Sequence, residues 1–307
     1  MPAFRPCWTP LVALAASSPL TLQAQLSAEA RLARQADLVA ADRATADTAV
    51  RLGFAEAFRL AAAPDLVLVY PGAPVVAGLD AVREMLAGQS ALQTLTIRWA
   101  PLHAEVSADG DFGVSYGVTG IVVSDSAPTP PLRFGKYLSA WRNTAAGWRL
   151  AAHVQVGLLP GAAYVEPHGV EAAPLPPLAA TGAVAAFAHA DLAFAALAGR
   201  SGAPAAFAAY AAADAVTFAG TGELVRGPAA IRRWLTDEAR SSWDWRPVAA
   251  GGSARGDLGY TVGESVITPP GEDSFYGKYL TLWRREPNGR IRFLADGGNA
   301  RPKPAGP

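Results

Sequence analysis

Two strings constrain this chain more than anything else in it: Phe134-Gly-Lys-Tyr-Leu-Ser-Ala-Trp-Arg142 and Tyr276-Gly-Lys-Tyr-Leu-Thr-Leu-Trp-Arg284, identical at six of nine positions. They hold two of the three lysines, Lys136 and Lys278, the third being Lys303. A chain that otherwise uses arginine, apart from a few histidines, keeps lysine at the same place twice, which marks an internal duplication. Further blocks agree. Asp42, Phe58, Asp65 and Gly78 recur as Asp191, Phe207, Asp214 and Gly227, all 149 residues on (191 − 42). Asp111 and Gly113 recur as Asp257 and Gly259 at 146 (257 − 111), and the lysine strings sit 142 apart (278 − 136). Stepwise shrinkage means two small deletions in the second copy, placed in hairpin loops. A period this long means tandem domains, since solenoid repeats run roughly 20–50 residues.

The boundaries follow. The first copy spans 25–157 and the second 181–300. The segment 158–180 between them carries Pro160, Pro167, Pro174, Pro176 and Pro177, a density that reads as a semi-extended linker. The tail 301–307 reads as unstructured. Within each copy an alanine-rich helix (Ser27 to about Leu52; Thr181 to Ala198) precedes a second short helix and a short strand. A third helix follows Gly78 or Gly227, and four longer strands close the copy. Asp-Gly-Asp at 109–111 and Arg-Gly-Asp at 255–257 mark a turn in that meander. Helices first and strands after is an α+β order, which predicts a curled sheet wrapped around the N-terminal helix.

Strand alternation divides the second string into two faces, Tyr276, Lys278, Leu280 and Leu282 against Gly277, Tyr279, Thr281 and Trp283. Both are largely apolar, so both should be covered, one by helices and the other by the sister sheet.

Composition removes whole classes of function. Lys+Arg and Asp+Glu are each 26, so no basic footprint for nucleic acid exists. Residues 1–24 read as a secretory signal peptide, with Arg5 before an apolar run that is broken by Pro10 and Pro19 and too short to span a membrane. The expectation is therefore a periplasmic or secreted protein with no membrane span. Cys7, the single cysteine, would leave with the leader, removing disulfides, thiolate metal sites and cysteine nucleophiles. Four histidines at scattered positions give no zinc spacing. No phosphate loop, dinucleotide fingerprint or nucleophile elbow is present, so neither metal nor cofactor is expected.

A helix carrying Asp42 or Asp191, then Gly78 or Gly227, then Gly-Lys-Tyr-Leu-x-x-Trp-Arg, closed by a strand ending in His153 or Asp296, resembles the nuclear-transport-factor-2-like (NTF2-like) superfamily. It is most similar to its SnoaL-like, ketosteroid-isomerase-like domains of unknown function. The resemblance covers about 36–157 and 183–300. It implies two cones, each of three helices packed on a strongly curved, mixed, mainly antiparallel sheet, often with a hollow interior. Related single-domain proteins pair through their sheets, which implies an intramolecular pseudo-dimer here.

Six residues are candidates for chemistry. Lys136 and Lys278 share a strand face with apolar neighbours, and a buried ammonium needs a partner. Asp191 lies on the helix face of Phe194, Ala195 and Ala198 and should turn inward, so Asp42–Lys136 and Asp191–Lys278 pairs are expected inside the cones. They read either as acid–base or ligand-anchoring dyads, or as fixed core ion pairs or lysines snorkelling to the rim. His153 and Asp296 match on the last strand, 143 apart (296 − 153). The resemblance allows such a strand to present a polar group to the cavity; a polar rim is the plainer reading. Tyr137, Trp141, Tyr279 and Trp283 could stack a ligand or form core. The expected function is binding of a small apolar ligand in one or both cones. Cofactor-free isomerase, dehydratase or cyclase chemistry by general acid–base catalysis and a non-catalytic scaffold stay open as alternatives.

Overall fold

The structure, a computed structural model, describes residues 25–89, 92, 95–123, 133–160, 171–172, 184–218, 224–236 and 240–304. The expected leader and most of the linker lie outside these. No helix among the described residues is long and apolar enough to cross a membrane.

The duplication is realised element by element. The first copy runs α1 (Ala28–Leu52), α2 (Phe54–Ala61), β1 (Ala62–Val69), β2 (Val75–Ala77), α3 (Leu79–Ala87), β3 (Leu95–Val106), β4 (Phe112–Val123), β5 (Arg133–Thr144) and β6 (Gly147–Pro160). After the two-residue β7 (Glu171–Ala172), the second copy repeats the order. It runs α4 (Ala185–Ser201), α5 (Ala203–Tyr210), β8 (Ala211–Phe218), β9 (Leu224–Arg226), α6 (Pro228–Trp234), β10 (Ser242–Gly252), β11 (Leu258–Thr268), β12 (Phe275–Arg285) and β13 (Ile291–Ala300). The sheets are ordered β2-β1-β6-β5-β4-β3-β7 and β10-β11-β12-β13-β8-β9. In both, the last long strand pairs parallel with the first while the meander is antiparallel. The α+β expectation holds.

Several boundaries differ from the sequence reading, the helix expected from Thr181 to Ala198 being described from Ala185 to Ser201. Strand β6 continues to Pro160, where a missing N–H costs a strand end little, and Glu171–Ala172 pairs parallel with His103–Ala104 of β3. The stretch 158–180 therefore touches the sheet at both places. Strand β13 runs on to Ala300, past the expected Asp296.

Helices α1 and α4 lie over the sheets by their matched faces, Leu38 against Gly113 and Phe187 against Gly259. The other faces of the two sheets meet each other. Leu138, Ala140 and Val154 share one buried cluster with Leu280 and Leu282. The contact is reciprocal, as two-fold pairing requires: Asp257 accepts from the Ala108 backbone N–H at 2.6 Å, and Asp111 accepts from that of Ala254 at 2.8 Å. Arg284 adds an inter-copy bond to buried Glu105 at 2.8 Å, while its fork grips Asp214 at 2.6 and 3.1 Å.

Candidate functional site

Inside each cone the helix aspartate is a hydrogen-bond hub. Asp42 Oδ1 accepts from Trp99 Nε1 at 2.8 Å, and Oδ2 accepts from Ser115 Oγ at 2.8 Å and the Tyr137 hydroxyl at 2.7 Å. Ser115 in turn accepts from Trp141 Nε1 at 3.0 Å. The second cone repeats this: Asp191 accepts from Trp245 Nε1 at 2.8 Å and the Tyr279 hydroxyl at 2.9 Å, and Thr261 accepts from Trp283 Nε1 at 2.8 Å. Burial pushes both carboxyls above the usual carboxylate range, and the converging donors offset this only in part. Burial and the adjacent carboxylate push both tyrosine hydroxyls well up. An ionised carboxylate is an acceptor without donors of its own, and here its oxygens meet O–H and N–H donors. These networks are satisfied core, and a satisfied buried network rigidifies its surroundings.

The expected Asp–Lys pairs do not form. Alternation places Lys136 and Tyr137 on opposite faces of β5, and Tyr137 is the one that meets Asp42. Lys136 points to the sister copy, its Nζ 4.6 Å from the centre of the Phe218 ring. Lys278 Nζ donates to Asn299 Oδ1 at 2.5 Å and to the Ala300 carbonyl at 2.7 Å. Asn299 then bridges to the first copy through the carbonyls of Val69 and Gln155, at 2.9 and 2.8 Å. The lysines belong to the seam between copies. Tyr137, Trp141 and Trp283 sit fully buried inside their networks, and Tyr279 reaches a cavity as well.

Glycine makes the tyrosines possible. Gly117 pairs across the ladder with Tyr137, and Gly263 with Tyr279. A Cβ at either position would overlap the tyrosine ring and a carbonyl of the neighbouring strand, Ala100 or Arg246. The ring lies over the glycine and so reaches the helix aspartate.

The copies part at His153 and Asp296. His153 is 2 % exposed and caged by rings, stacked on Tyr137 at 5.8 Å and edge-on to Phe58 at 5.1 Å, with Phe54 at 6.2 Å and Trp99 at 6.3 Å. Its Nδ1 meets Ser139 Oγ at 2.9 Å, its Nε2 has no partner, and burial pushes it down to about 3. The first cone is filled with side chains at this point. In the second, Ala203 stands where the first has Phe54, and Thr217 where it has Leu68. A cavity of about 230 Å³ opens there, lined by Thr217, Phe218, Trp243, Tyr279 and Asp296 among others. Asp296 accepts from Thr281 Oγ1 at 2.6 Å, and burial pushes its carboxyl up to about 7, helped by the charge of Asp191.

A bulge at Leu294, where β13 shifts register against β12, sets this orientation. Phe293 packs on Phe194 and Trp283, yet Asp296, three residues on, also faces the interior. Simple alternation cannot predict that. Trp99, Trp245, Ser115 and Thr261 complete the networks; their shared spacing of 146 (245 − 99, 261 − 115) is the signal the sequence offers for them.

No group of three or more metal-ligating side chains is present among the described residues. No family model matches the sequence, and no curated protein matches it. Solved structures do. The chain is similar to an NTF2-like protein with a cystatin-like fold from Novosphingobium aromaticivorans, with 22% identity over 44% of this chain and 89% of that one, TM-score 0.36. It is similar to a ketosteroid isomerase-like protein from Erwinia carotovora atroseptica, with 21% identity over 40% and 94%, TM-score 0.33. It is also similar to a computationally designed 17-OHP binder, with 13% identity over 36% and 88%, TM-score 0.31. The chain itself carries two α+β units of matching element order in tandem.

Proposed function

We propose that the second copy is a small-molecule binding domain of SnoaL-like type and that the first is its fixed structural partner. One observation carries this reading: Asp296 faces an aromatic-lined cavity, whereas the matching His153 is enclosed in a ring-filled core. A concave, mostly apolar site with few polar groups is the usual form of a ligand pocket. The bound molecule is small and largely apolar, with Asp296 as its polar anchor. Native mass spectrometry of the purified full chain tests this. A bound small molecule, lost or reduced in Asp296→Asn, is the expected result. A chain that carries none and takes up no apolar probe rejects it.

A second reading has its own support. A carboxyl near 7 titrates where a general acid or base works best, so the same pocket suits cofactor-free isomerase, dehydratase or cyclase chemistry. Asp296→Asn separates the two readings: turnover would disappear under the second, whereas under the first there is none to lose. The leader reading of residues 1–24 is likewise a proposal, and N-terminal sequencing of chain recovered from fractionated cells decides it.

A further inference from the structure

Resting on the binding reading above, we infer that the second cone selects uncharged single-ring molecules that carry a hydroxyl group.

Size comes first. The cavity, about 230 Å³, equals about eight waters at ~30 Å³ each, or about ten non-hydrogen atoms at liquid packing. Pockets for drug-sized ligands begin near 300 Å³. One substituted ring fits inside, and three or four fused rings would have to extend past its rim into solvent. The wall cannot retreat on one side, because it belongs to the other copy. Val156 of β6 lines the cavity and packs against Gly297, where a Cβ would overlap it.

Shape and charge narrow the class further. Trp234 and Phe275, the two aromatic residues among the exposed large hydrophobics, at 38% and 48%, both line this cavity. They form an apolar rim suited to a flat ring; exposed apolar surface of this kind marks contact with a ligand or partner. No lysine, arginine or histidine lines the cavity among the described residues, so an anionic ligand finds no counter-charge. Thr281 occupies one oxygen of Asp296, and the other is left to accept a ligand O–H.

Calorimetry on the full chain, with tryptophan fluorescence as a second readout, tests this with phenol, anisole, benzoate, and three-ring and four-ring hydroxyl compounds. Phenol should bind, with anisole and benzoate about tenfold weaker or worse, the weight of one hydrogen bond to a charged group. The large compounds should not bind. Thr217→Leu, which installs the residue the first copy has at Leu68, should abolish phenol binding. Asp296→Asn should bring phenol and anisole to parity, and it keeps the test alive if the leucine variant fails to fold. Tighter binding of the three- or four-ring compounds overturns the size inference while leaving a ligand pocket. Equal binding of anisole and phenol to the unaltered chain overturns the hydroxyl. No binding of any probe rejects the pocket itself.

Discussion

At the scale of single residues, the two cones give opposite electrostatic signs to one position. His153 is held at about 3 in the folded chain against ~6.5 unfolded, so its contribution to stability is complete above 6.5 and lost as pH falls from there toward 3. Asp296 is held at about 7 against ~3.9 unfolded, so its contribution is complete below that value and lost as pH rises through 7. Asp111, raised to about 7 by burial and by Asp109, acts in the same sense as Asp296. Between about pH 4 and 6.5 the two signs oppose, each group contributing at most ~1.4 kcal/mol per pH unit. Relative to the unaltered chain, Asp296→Asn should make stability rise more steeply with pH in that window, and His153→Gln should make it fall. Urea denaturation at several pH values reads both slopes; parallel slopes in the two variants would contradict the assignment. Asp42→Asn and Asp191→Asn each put an amide where the donors converge. Each should cost about 3 kcal/mol, the scale of hydrogen bonds to a buried charge, and a loss under 1 kcal/mol in denaturation would show that the networks are not core.

Strands and helices explain what the sequence made legible. Element order and the four-strand meander could be read because a duplicated chain reports each element twice, and a true spacing recurs. An expectation of cover on both faces of β12 came from its being apolar on both. The lysines misled because burial of Lys136 and Lys278 was expected to mean burial beside the helix aspartates. Alternation along β5 and β12 already separated Lys136 from Tyr137 and Lys278 from Tyr279, and the tyrosines were the better partners. Asp296 was legible as a matched position, but its cavity was not. Asp296 faces it through a bulge at Leu294, and Thr217 lines it where the first copy has the larger Leu68, which no periodicity records. The ladder glycines offer a direct check. Gly117→Ala or Gly263→Ala should lose about 2 kcal/mol through overpacking and displace the tyrosine ring, seen as a changed near-ultraviolet circular dichroism signal. Unaltered stability and spectrum would mean that the ring does not need the glycine.

For the whole molecule, the first copy is both wall and anchor for the second. The seam combines packed sheet faces, reciprocal aspartate-to-backbone bonds and the Asn299 bridge, so the copies should unfold together. Arg284→Ala leaves Glu105 buried without its inter-copy partner and should cost about 3 kcal/mol. Arg142→Ala removes the matching, more exposed pair with Asp65 and a weaker contact with Tyr260 of the second copy, and should cost less, about 1 kcal/mol. Equal losses in denaturation would show that the Glu105 contact does not hold the copies together. Around His153 the first cone is closed by side chains, whereas beside Asp296 the second is open. Crystals of the full chain under xenon pressure test this contrast most directly, since xenon enters apolar cavities and leaves packed core alone. Xenon is expected in the second cone beside Phe218, Tyr279 and Asp296, and none beside His153. Xenon next to His153, or in neither cone, would contradict it.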